Sequence, residues 1–389
     1  MAKATYKILV VDDEVDLEPL MLQRMRRDIR SGRYSFVFAH NGIEALEKLN
    51  TDDDIDMVLS DINMPQMDGL TLLEQIPSVD PNIKSVIISA YGDMKNIRTA
   101  MNRGAFDFVT KPLDFADLRI TIERTLAHLT EWRAALASRD QLVSLQKELD
   151  VANRMQKSIL PTRFPREGDY EVFAHMEPAR NVGGDFYDVI NLEGGRIGLC
   201  IADVSDKGVP AALFMMSSRT LLKGASIGCD NPGDVLQEVN ELLRETNDTE
   251  MFVTLLYGIY NPATGDISYA NGGPNEPLLI RPDGSSSLLP RTGGIILGVM
   301  AGVEFAHNTV NVGPGDTLFL YTDGVSEAMN VEAEEFGMER LAAIFAETPP
   351  NDAEETTMTV FKAVHGFAGE TPQSDDITCL TLHRSEPGS

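Results

Sequence analysis

Four stretches in the second half of the chain place acidic residues at the ends of short apolar runs. They are residues 182–188 (VGGDFYD), 202–207 (ADVSDK), 321–327 (YTDGVSE) and 374–378 (SDDIT). A side chain at the end of a β-strand lies outside the hydrogen-bond ladder, so carboxylates from four strands can converge on one point. Carboxylates a few ångströms apart repel one another unless hard divalent cations lie between them. The pattern therefore predicts a magnesium or manganese site.

A second set of polar residues accompanies apolar runs in the first part of the chain. Asp12, Asp13, Asp61, Ser89 and Lys111 each come just after such a run. The runs alternate with amphipathic stretches, and five such alternations are typical of an α/β doubly wound, five-stranded parallel sheet. Ligands bind at the carboxyl ends of the strands in this architecture, so we expect the five residues at one edge of the sheet. The predicted strands are residues 6–11, 34–39, 57–60, 85–88 and 107–110, and the predicted helices are residues 17–29, 43–49, 70–75, 94–102 and a helix from residue 115.

These motifs resemble those of a bacterial two-component receiver domain. The resemblance rests on the acidic pair at residues 12 and 13, on SDINMPQMDG around Asp61, on ISAYGD around Ser89 and on FVTKP around Lys111. It implies that Asp61 accepts a phosphoryl group from a sensor histidine kinase, because a metal ion and a lysine make a carboxylate an effective nucleophile. A degenerate receiver, with Asp61 and Lys111 as a mere buried ion pair, is the alternative; it is disfavoured because every functional position is filled. The implied roles are Mg²⁺ ligands for Asp12, Asp13, Asp61 and the Asn63 carbonyl, phosphate counter-charge for Lys111, and receiver switch for Ser89 and Phe108.

Residues 115–160 contain neither proline nor glycine, and apolar residues recur there at helical spacing. The pattern predicts one helix of about 45 residues, which is typical of a coiled coil or a signalling linker. The register slips once, because Leu136 and Leu142 are six residues apart rather than seven. We interpret the segment as a homodimerising helix whose pairing depends on the receiver; the alternative is a single helix folded back along the second domain. The apolar positions are Ile122, Leu126, Leu129, Trp132, Leu136, Leu142, Leu145, Leu149, Ala152 and Ile159.

From about residue 170 the pattern changes to alternating runs that are separated by hairpin signals. Two helical stretches, residues 209–225 and 232–246, follow the second acidic motif. Together they predict an α+β fold, a two-layer antiparallel β-sandwich flanked by helices. The predicted strands are residues 170–175, 186–191, 197–203, 252–260, 266–271, 277–280, 309–312, 316–321 and 377–383.

This half resembles the metal-dependent type 2C serine/threonine phosphatases, and among them the bacterial branch that controls sporulation and stress sigma factors. The resemblance rests on QKSILP, VGGDFYD, ADVSDKGVPAALFM, MFVTLLYG, GDTLFLYTDGVSEA, FGMERL and SDDIT. It implies a catalytic site with two Mn²⁺ or Mg²⁺ ions and a phosphate-binding arginine, Arg180. The implied catalytic residues and metal ligands are Asp185 between the two ions, Asp203 with the Val204 carbonyl on one ion, and Asp323 with Asp375, or with Asp376 as a close alternative, on the other.

The chemistry that this resemblance implies is hydrolysis of a phosphoserine or phosphothreonine by water activated between two ions, with no covalent intermediate. The implied substrate is a phosphorylated anti-sigma factor antagonist in a partner-switching pathway. We expect phosphorylation of Asp61 to alter the pairing of the linker helix and thereby the completeness of the metal site. The alternative is a phosphorylation-gated, non-catalytic binding module for a regulatory partner, which the four intact acidic motifs disfavour.

The net charge of the 389-residue chain, −27, is unevenly distributed. Residues 166–389 carry about −23, and such a field excludes nucleic acid as a partner because it repels phosphate backbones. Cys200, Cys229 and Cys379 show no paired spacing, which favours reduced thiols and a cytoplasmic protein. No apolar run reaches the roughly 18 residues of a membrane helix, so we expect no membrane association. The predicted parts are a receiver domain (residues 1–125), a helical, coiled-coil-like linker (126–165) and a type 2C-like phosphatase domain (166–389).

Overall fold

The computed structural model describes residues 5–90, 92–245, 247–248, 250–273 and 275–386. The chain forms two compact units, Met1–Ser144 and Leu145–Ser389. One long helix contributes its first part to the first unit and its last part to the second. Within the described residues, none of the helices combines the length and the apolar character that a membrane span requires.

Five parallel strands form the sheet of the first unit. They are β1 (Tyr6–Val11), β2 (Tyr34–Ala39), β3 (Ile55–Asp61), β4 (Lys84–Ala90) and β5 (Asp107–Lys111). The helices are α1 (Leu17–Arg24), α2 (Arg26–Arg30), α3 (Gly42–Thr51), α4 (Gly69–Val79), α5 (Met94–Asn102) and α6 (Phe115–Ile159). The strand order, β2-β1-β3-β4-β5, is that of a doubly wound fold, so the predicted fold class is confirmed for this unit. Apolar clusters cover both faces of the sheet, which explains why the central strands are almost continuously apolar.

One predicted element of this unit is wrong, because two helices, α1 and α2, replace the single helix expected over residues 17–29. Met25 lies between them with φ −93° and ψ 11°, which is outside the helical region. Its side chain is fully buried, whereas Arg24 and Arg26 on either side are exposed. The chain therefore bends where a buried methionine interrupts a basic surface.

Helix α6 is continuous over 45 residues, as the sequence predicts. Its first part packs on the sheet of the first unit through Leu118, Ile122, Leu126 and Leu129. Arg133 Nη1 lies 2.6 Å from Asp56 Oδ1, a buried carboxylate at the start of β3. Beyond Arg133, every residue from 134 to 148 is exposed. The middle of the helix is thus a solvent-exposed rod.

Two antiparallel sheets form the second unit. The strands are β6 (Arg166–Glu167), β7 (Tyr170–Glu177), β8 (Phe186–Asn191), β9 (Ile197–Val204), β10 (Val253–Asn261), β11 (Asp266–Asn271), β12 (Leu278–Ile280), β13 (Ser286–Leu288), β14 (Asn308–Asn311), β15 (Thr317–Tyr321) and β16 (Ile377–Arg384). The helices are α7 (Val209–Ala225), α8 (Pro232–Glu245), α9 (Asp323–Ser326), α10 (Gly337–Glu347) and α11 (Ala353–Ala368). One sheet has the order β14-β11-β10-β9-β8 and the other β13-β12-β15-β16-β7-β6.

A single apolar cluster contains residues from both sheets, so they pack as the layers of a sandwich. The predicted α+β fold is confirmed for this unit. Helices α10 and α11 and strands β6 and β13 are additions that the sequence pattern did not predict. Helix α11 packs Val360, Phe361 and Val364 into a second apolar cluster with β15 and β16.

The strand directions correct one expectation about the acidic stretches. Only residues 202–207 and 321–327 lie at strand ends that the chain reaches last; residues 182–188 and 374–378 lead into β8 and β16. Antiparallel pairing brings the stretches together in two pairs, because the start of β8 lies beside the end of β9 and the start of β16 beside the end of β15. Hydrogen bonds from Thr322 and Thr378 to Asp185 join the two pairs. The acidic stretches therefore converge because strand starts lie beside strand ends, and not because all four stretches follow the carboxyl ends of strands.

Candidate functional site

The first unit has a carboxylate cluster at the carboxyl ends of its strands. Asp12 and Asp13 follow β1, and Asp61 is the last residue of the neighbouring strand β3. One oxygen from each of these three carboxylates lies within 4.8 Å of the other two. The ammonium of Lys111, at the end of β5, lies 2.7 Å from Asp61 Oδ2 and 3.0 Å from Asp12 Oδ2. The structure thus brings three acids and one fixed cation to the same edge of the sheet.

The electrostatics of this cluster are those of a partly neutralised acidic site. Burial by itself lowers the pKa of Lys111, but its hydrogen bonds to Asp61, Glu14 and Asp12 outweigh that effect and raise the pKa well above its ordinary value. Burial also raises the pKa of Asp12, against the opposing effects of the Glu14 amide and Lys111. Three carboxylate oxygens at this spacing fit one hard cation such as Mg²⁺.

The remaining predicted residues of the first unit flank Asp61. Ser89, on β4, is fully buried, and its hydroxyl has no hydrogen-bond partner among the residues that the structure describes. Leaving a buried hydroxyl without a hydrogen-bond partner costs free energy, so the Ser89 hydroxyl is a candidate for contacting a group that binds at this site. Phe108, on β5, is 37% exposed. Asn63 directs its N–H toward Asp61 Oδ1, at 3.4 Å.

The second unit gathers five carboxylates, which we call the acidic centre: Asp185, Asp203, Asp323, Asp375 and Asp376. Asp185 precedes β8, and Asp203 is the penultimate residue of β9. Asp323 opens α9 shortly after β15, and the last two precede β16. Electrostatic repulsion links Asp185 with Asp203, Asp203 with Asp323, and Asp323 with Asp375.

Asp185 is held by hydroxyl groups from the opposite sheet. This residue is only 1% exposed, and its Oδ2 accepts hydrogen bonds from Thr322 Oγ1 at 2.7 Å and from Thr378 Oγ1 at 2.6 Å. Thr322 follows β15 and Thr378 belongs to β16, so each sheet contributes to the position of this carboxylate. Two charge-assisted hydrogen bonds fix its orientation toward the acidic centre.

The two adjacent aspartates before β16 have different surroundings. Asp376 accepts backbone N–H groups from Ala179 at 2.8 Å, Gly184 at 2.6 Å and Asp185 at 3.3 Å. Its carboxylate therefore holds the loop that carries Asp185. Asp375 instead lies 2.7 Å from the ammonium of Lys207 and repels Asp323. The geometry favours Asp375 over Asp376 as the residue available to a metal ion.

The glycine pair before Asp185 is required by close contacts. A Cβ on Gly183 would collide with the carboxylate of Asp376. A Cβ on Gly184 would lie 2.8 Å from the carbonyl oxygen of Val204. The two glycines therefore let the loop reach both Asp376 and the backbone at the end of β9, which is where the Val204 carbonyl was predicted to serve as a ligand.

Burial and repulsion between neighbouring carboxylates raise the pKa values of three carboxyl groups in the acidic centre. Burial, followed by repulsion from Asp203 and Asp376, raises the pKa of Asp185. Burial and repulsion from Asp323 raise the pKa of Asp203 to about 7. Burial and repulsion from Asp375 raise the pKa of Asp323 to about 6, and no described residue forms a hydrogen bond with the buried Asp323 Oδ1. Such an all-oxygen, under-neutralised cluster fits hard divalent cations.

The spacing also differs from that of the first unit. Among the described residues, only Asp12, Asp13 and Asp61 form a carboxylate trio with all three oxygens within 4.8 Å. The acidic centre is more spread out, as a site for two ions requires.

Two cations border the acidic centre. Arg180 is exposed on the loop before Asp185, and its Nη1 lies about 4.0 Å from where a Cβ of Gly208 would be, at the start of α7. Lys207 pairs with Asp375 and also donates to the Ser374 carbonyl. Sequence reasoning assigned no role to Lys207, Thr322 or Thr378. Their only signal was that they lie inside the acidic motifs.

The contact of Gly184 with Val204 leads to a prediction for Gly184→Ala. The added methyl group would push the loop away from β9, so we expect the affinity for Mn²⁺ to fall by about 10- to 100-fold. Isothermal titration calorimetry with Mn²⁺ measures this. Gly224→Ala, on α7, is the matched control, because a Cβ there meets nothing within 4 Å. Equal Mn²⁺ affinity in both variants would contradict the assignment.

The raised pKa of Asp203 gives a stability prediction for the metal-free protein. A carboxyl whose pKa is raised in the folded state costs stability as the pH rises from the unfolded pKa toward the folded one, here between the ordinary value of 3.8 and about 7. Asp203→Asn removes that cost, so at pH 8 with chelator it should raise the free energy of unfolding by about 1–2 kcal/mol. The gain should vanish near pH 4, where the wild-type carboxyl is protonated.

Urea unfolding at pH 4 and pH 8 measures that difference, and Asp206→Asn is the control because Asp206 is exposed. Added Mn²⁺ should reverse the order, stabilising the wild type more than Asp203→Asn. An Asp203→Asn protein that is less stable than the wild type at pH 8 without metal would show that ionising Asp203 does not reduce the stability of the fold.

Comparisons with known proteins agree with the two units. Residues 8–123 match the response regulator receiver domain family, and residues 193–385 match the Stage II sporulation protein E (SpoIIE) family. Asp185 precedes the second matched range, and its place in the site rests on the contacts described above.

Two curated relatives and one solved structure are similar to this chain. Protein IcfG of Synechocystis sp. is 32% identical over 267 residues, which are 61% of this chain and 42% of IcfG, so the chain spans less than half of that relative. Phosphoserine phosphatase RsbU of Bacillus subtilis is 25% identical over 242 residues, covering 62% of this chain and 71% of RsbU. The SiaA-PP2C domain of Pseudomonas aeruginosa, at 22% identity, covers 62% of this chain and 98% of that domain with a TM-score of 0.55, which shows a shared fold. The chain thus consists of a response regulator receiver domain followed by a domain of the SpoIIE family with the type 2C phosphatase fold.

Proposed function

We propose that the chain is a response regulator whose output is a metal-dependent protein serine/threonine phosphatase. The observation that carries this proposal is the acidic centre, an all-oxygen site where burial and neighbouring carboxylates, Asp375 among them, raise the pKa values of Asp185, Asp203 and Asp323. The similarity to a protein named phosphoserine phosphatase RsbU supports the same activity.

The acidic centre would hold two Mn²⁺ or Mg²⁺ ions. Asp185, Asp203 and the Val204 carbonyl, together with Asp323 and Asp375, would be their ligands. When bound, two such ions supply Lewis-acid activation of water and of a phosphoryl oxygen. The chain's own contribution is to keep the carboxylates oriented, through Thr322 and Thr378, and to hold the Asp185 loop through Asp376.

The cations at the border of the site would bind the substrate. Arg180 lies on the loop that carries Asp185, so its guanidinium can pair with phosphate oxygens beside the metal ligands. A covalent cysteine mechanism is disfavoured, because burial raises the pKa of both Cys200 and Cys379 and keeps their thiols protonated. All three cysteines are free thiols, which supports the predicted cytoplasmic location.

In the receiver domain, Asp61 would be the phosphoacceptor, with a sensor histidine kinase as the donor. Asp12, Asp13, Asp61 and the Asn63 carbonyl would hold Mg²⁺, and Lys111 would balance the phosphoryl charge. The buried, unpartnered hydroxyl of Ser89 is available to bind the phosphoryl group, and Phe108 on β5 would report the change to the surface. The predicted substrate remains a phosphorylated anti-sigma factor antagonist, and the predicted domain limits remain residues 125 and 165.

The proposed output is tested by phosphate release from a small aryl phosphate with Mn²⁺. We expect Mn²⁺-dependent hydrolysis that falls to background in Asp185→Asn. Loading Asp61 with beryllofluoride, which mimics the phosphoryl group, should raise the rate about fivefold or more. Asp61→Asn is the control, since it should hydrolyse the ester at the basal rate and ignore beryllofluoride. Absence of hydrolysis with and without beryllofluoride would favour a phosphorylation-gated binding module instead.

The exposed rod of α6 supports a homodimer. Leu142 and Leu145 are 68% and 53% exposed, and together with Leu149 they follow the spacing of a coiled-coil seam. Pairing with a second copy of the same helix would bury this stripe.

Leu145→Glu should therefore shift the full-length chain from dimer to monomer in sedimentation velocity, because a charge in the seam is costly to bury. Val143→Glu is the matched control: Val143 is also an exposed apolar residue of α6, but it lies on another side of the helix. A wild-type chain that sediments as a monomer at micromolar concentration would refute the homodimer.

A further inference from the structure

Gln156 is a buried amide on an otherwise largely exposed stretch of α6. It is only 4% exposed, whereas all residues from 134 to 148 are exposed. Its Nε2 donates to the carbonyl oxygen of Gly183 at 2.6 Å, and its Oε1 accepts the Gly183 N–H at 3.1 Å. One side chain thus satisfies both backbone groups of one residue, as a neighbouring β-strand would do.

Gly183 is two residues before Asp185, in a loop without regular secondary structure between β7 and β8. Few groups fix this loop. Asp376 accepts the N–H groups of Gly184 and Asp185 from one side. From the other side, Gln156 binds Gly183, and Asn153, one turn earlier on α6, donates to the carbonyl of Asn181.

Two parts of the structure therefore hold this loop: Asp376, just before β16, and the end of α6. Because the loop also carries Arg180, a shift of α6 would displace both a metal ligand and the cation assigned to the substrate phosphate. A displacement of about 1 Å is enough to reduce catalysis substantially.

The orientation of Gln156 is linked to the exposed stripe on the same helix. An α-helix turns by about 100° per residue, so Leu142, Leu145 and Leu149 all lie within about 40° of Gln156 around the axis. No glycine or proline interrupts the helix between them. Any pairing that sets the rotation of the stripe therefore also sets the direction in which the Gln156 amide points.

We propose that Gln156 is a positioning residue that completes the metal site, and that it is the point at which α6 acts on the catalytic loop. The proposal rests on the proposed function, because it assigns the site its means of control. Gln156 touches neither the metal ions nor the substrate; it acts through Gly183 on Asp185 and Arg180. The receiver would change phosphatase activity by changing whether this amide is aligned with the loop.

The test uses the full-length chain with Gln156→Met, which keeps the size of the side chain and removes both hydrogen bonds. We expect the affinity for Mn²⁺, measured by calorimetry, to fall by about 10-fold or more. We expect kcat for the aryl phosphate at saturating Mn²⁺ to fall by a similar factor while KM changes little, and the response to beryllofluoride to be lost. Gln156→Glu keeps the acceptor for the Gly183 N–H and should be intermediate in all three.

Gln146→Met is the matched control, because Gln146 is an exposed glutamine of the same helix whose amide donates to Asp150 on that helix. It should keep wild-type Mn²⁺ affinity and the full beryllofluoride response. If Gln156→Met loses thermal stability but keeps Mn²⁺ affinity and the beryllofluoride response within twofold of wild type, Gln156 is only structural and the proposal is wrong.

Two further results keep the outcome decisive. If Gln156→Met does not fold, as judged by circular dichroism, Asn153→Ala replaces it: that variant removes one bond to the same loop, and an unchanged Mn²⁺ affinity and beryllofluoride response would overturn the proposal. If the wild type binds Mn²⁺ but hydrolyses no ester, the phosphatase proposal fails, while the Mn²⁺ affinities of Gln156→Met and Gln146→Met still decide whether Gln156 positions the loop.

Discussion

The gathering of carboxylates in a partly buried site is the constraint on which the second domain depends. Folding brings Asp185, Asp203, Asp323 and Asp375 together although burial and repulsion between neighbours raise the pKa values of the first three. The surrounding structure opposes that repulsion through fixed geometry: two sheets converge, threonine hydroxyls orient Asp185, and Asp376 is fully occupied by backbone N–H groups. The two residues before Asp185 are glycines because the Asp376 carboxylate and the Val204 carbonyl approach them too closely to leave room for a side chain. Metal ions complete such a site because they supply the positive charge that the protein does not.

The receiver domain meets the same constraint differently. Its three carboxylates lie closer together, yet Lys111 reaches into the cluster and contacts two of them directly. In the second domain Lys207 pairs with Asp375 at the border of the acidic centre, and Asp323 Oδ1 has no hydrogen-bond partner among the described residues. The receiver thus has a built-in cation inside its acidic cluster, whereas in the acidic centre the cation Lys207 pairs only with the carboxylate at the border. This difference follows from the tasks we propose: a phosphoryl group must join and leave Asp61, whereas the hydrolytic site only has to stay charged.

The sequence predicted what depends on local pattern. Apolar runs gave every strand except the short β6 and β13 within a few residues, and the absence of glycine and proline gave α6 in full. Helix α11 was missed although Asp352 caps its start and Gly369 follows its last residue. The bend at Met25 was missed because burial of one methionine overrides a continuous helical pattern. The distinction between Asp375 and Asp376 could not be predicted, since it depends on backbone groups nearly 200 residues away. Gln156 was visible only inside the QKSILP motif, where nothing in the spacing indicates that its partner is Gly183.

The exposed rod of α6 sets the scale of any control that passes through it. Fifteen consecutive exposed residues gain little from packing, and an isolated helix of that length is only marginally stable in water. Moving an equilibrium from about 1:99 to 99:1 takes about 5.5 kcal/mol of preference for one state. Burying a leucine contributes about 1.5–3 kcal/mol, so pairing the stripe of Leu142, Leu145 and Leu149 with a second copy is large enough to supply that preference. A smaller change, such as a new phosphoryl contact at Ser89, can then act by biasing the pairing without itself having to reshape the acidic centre.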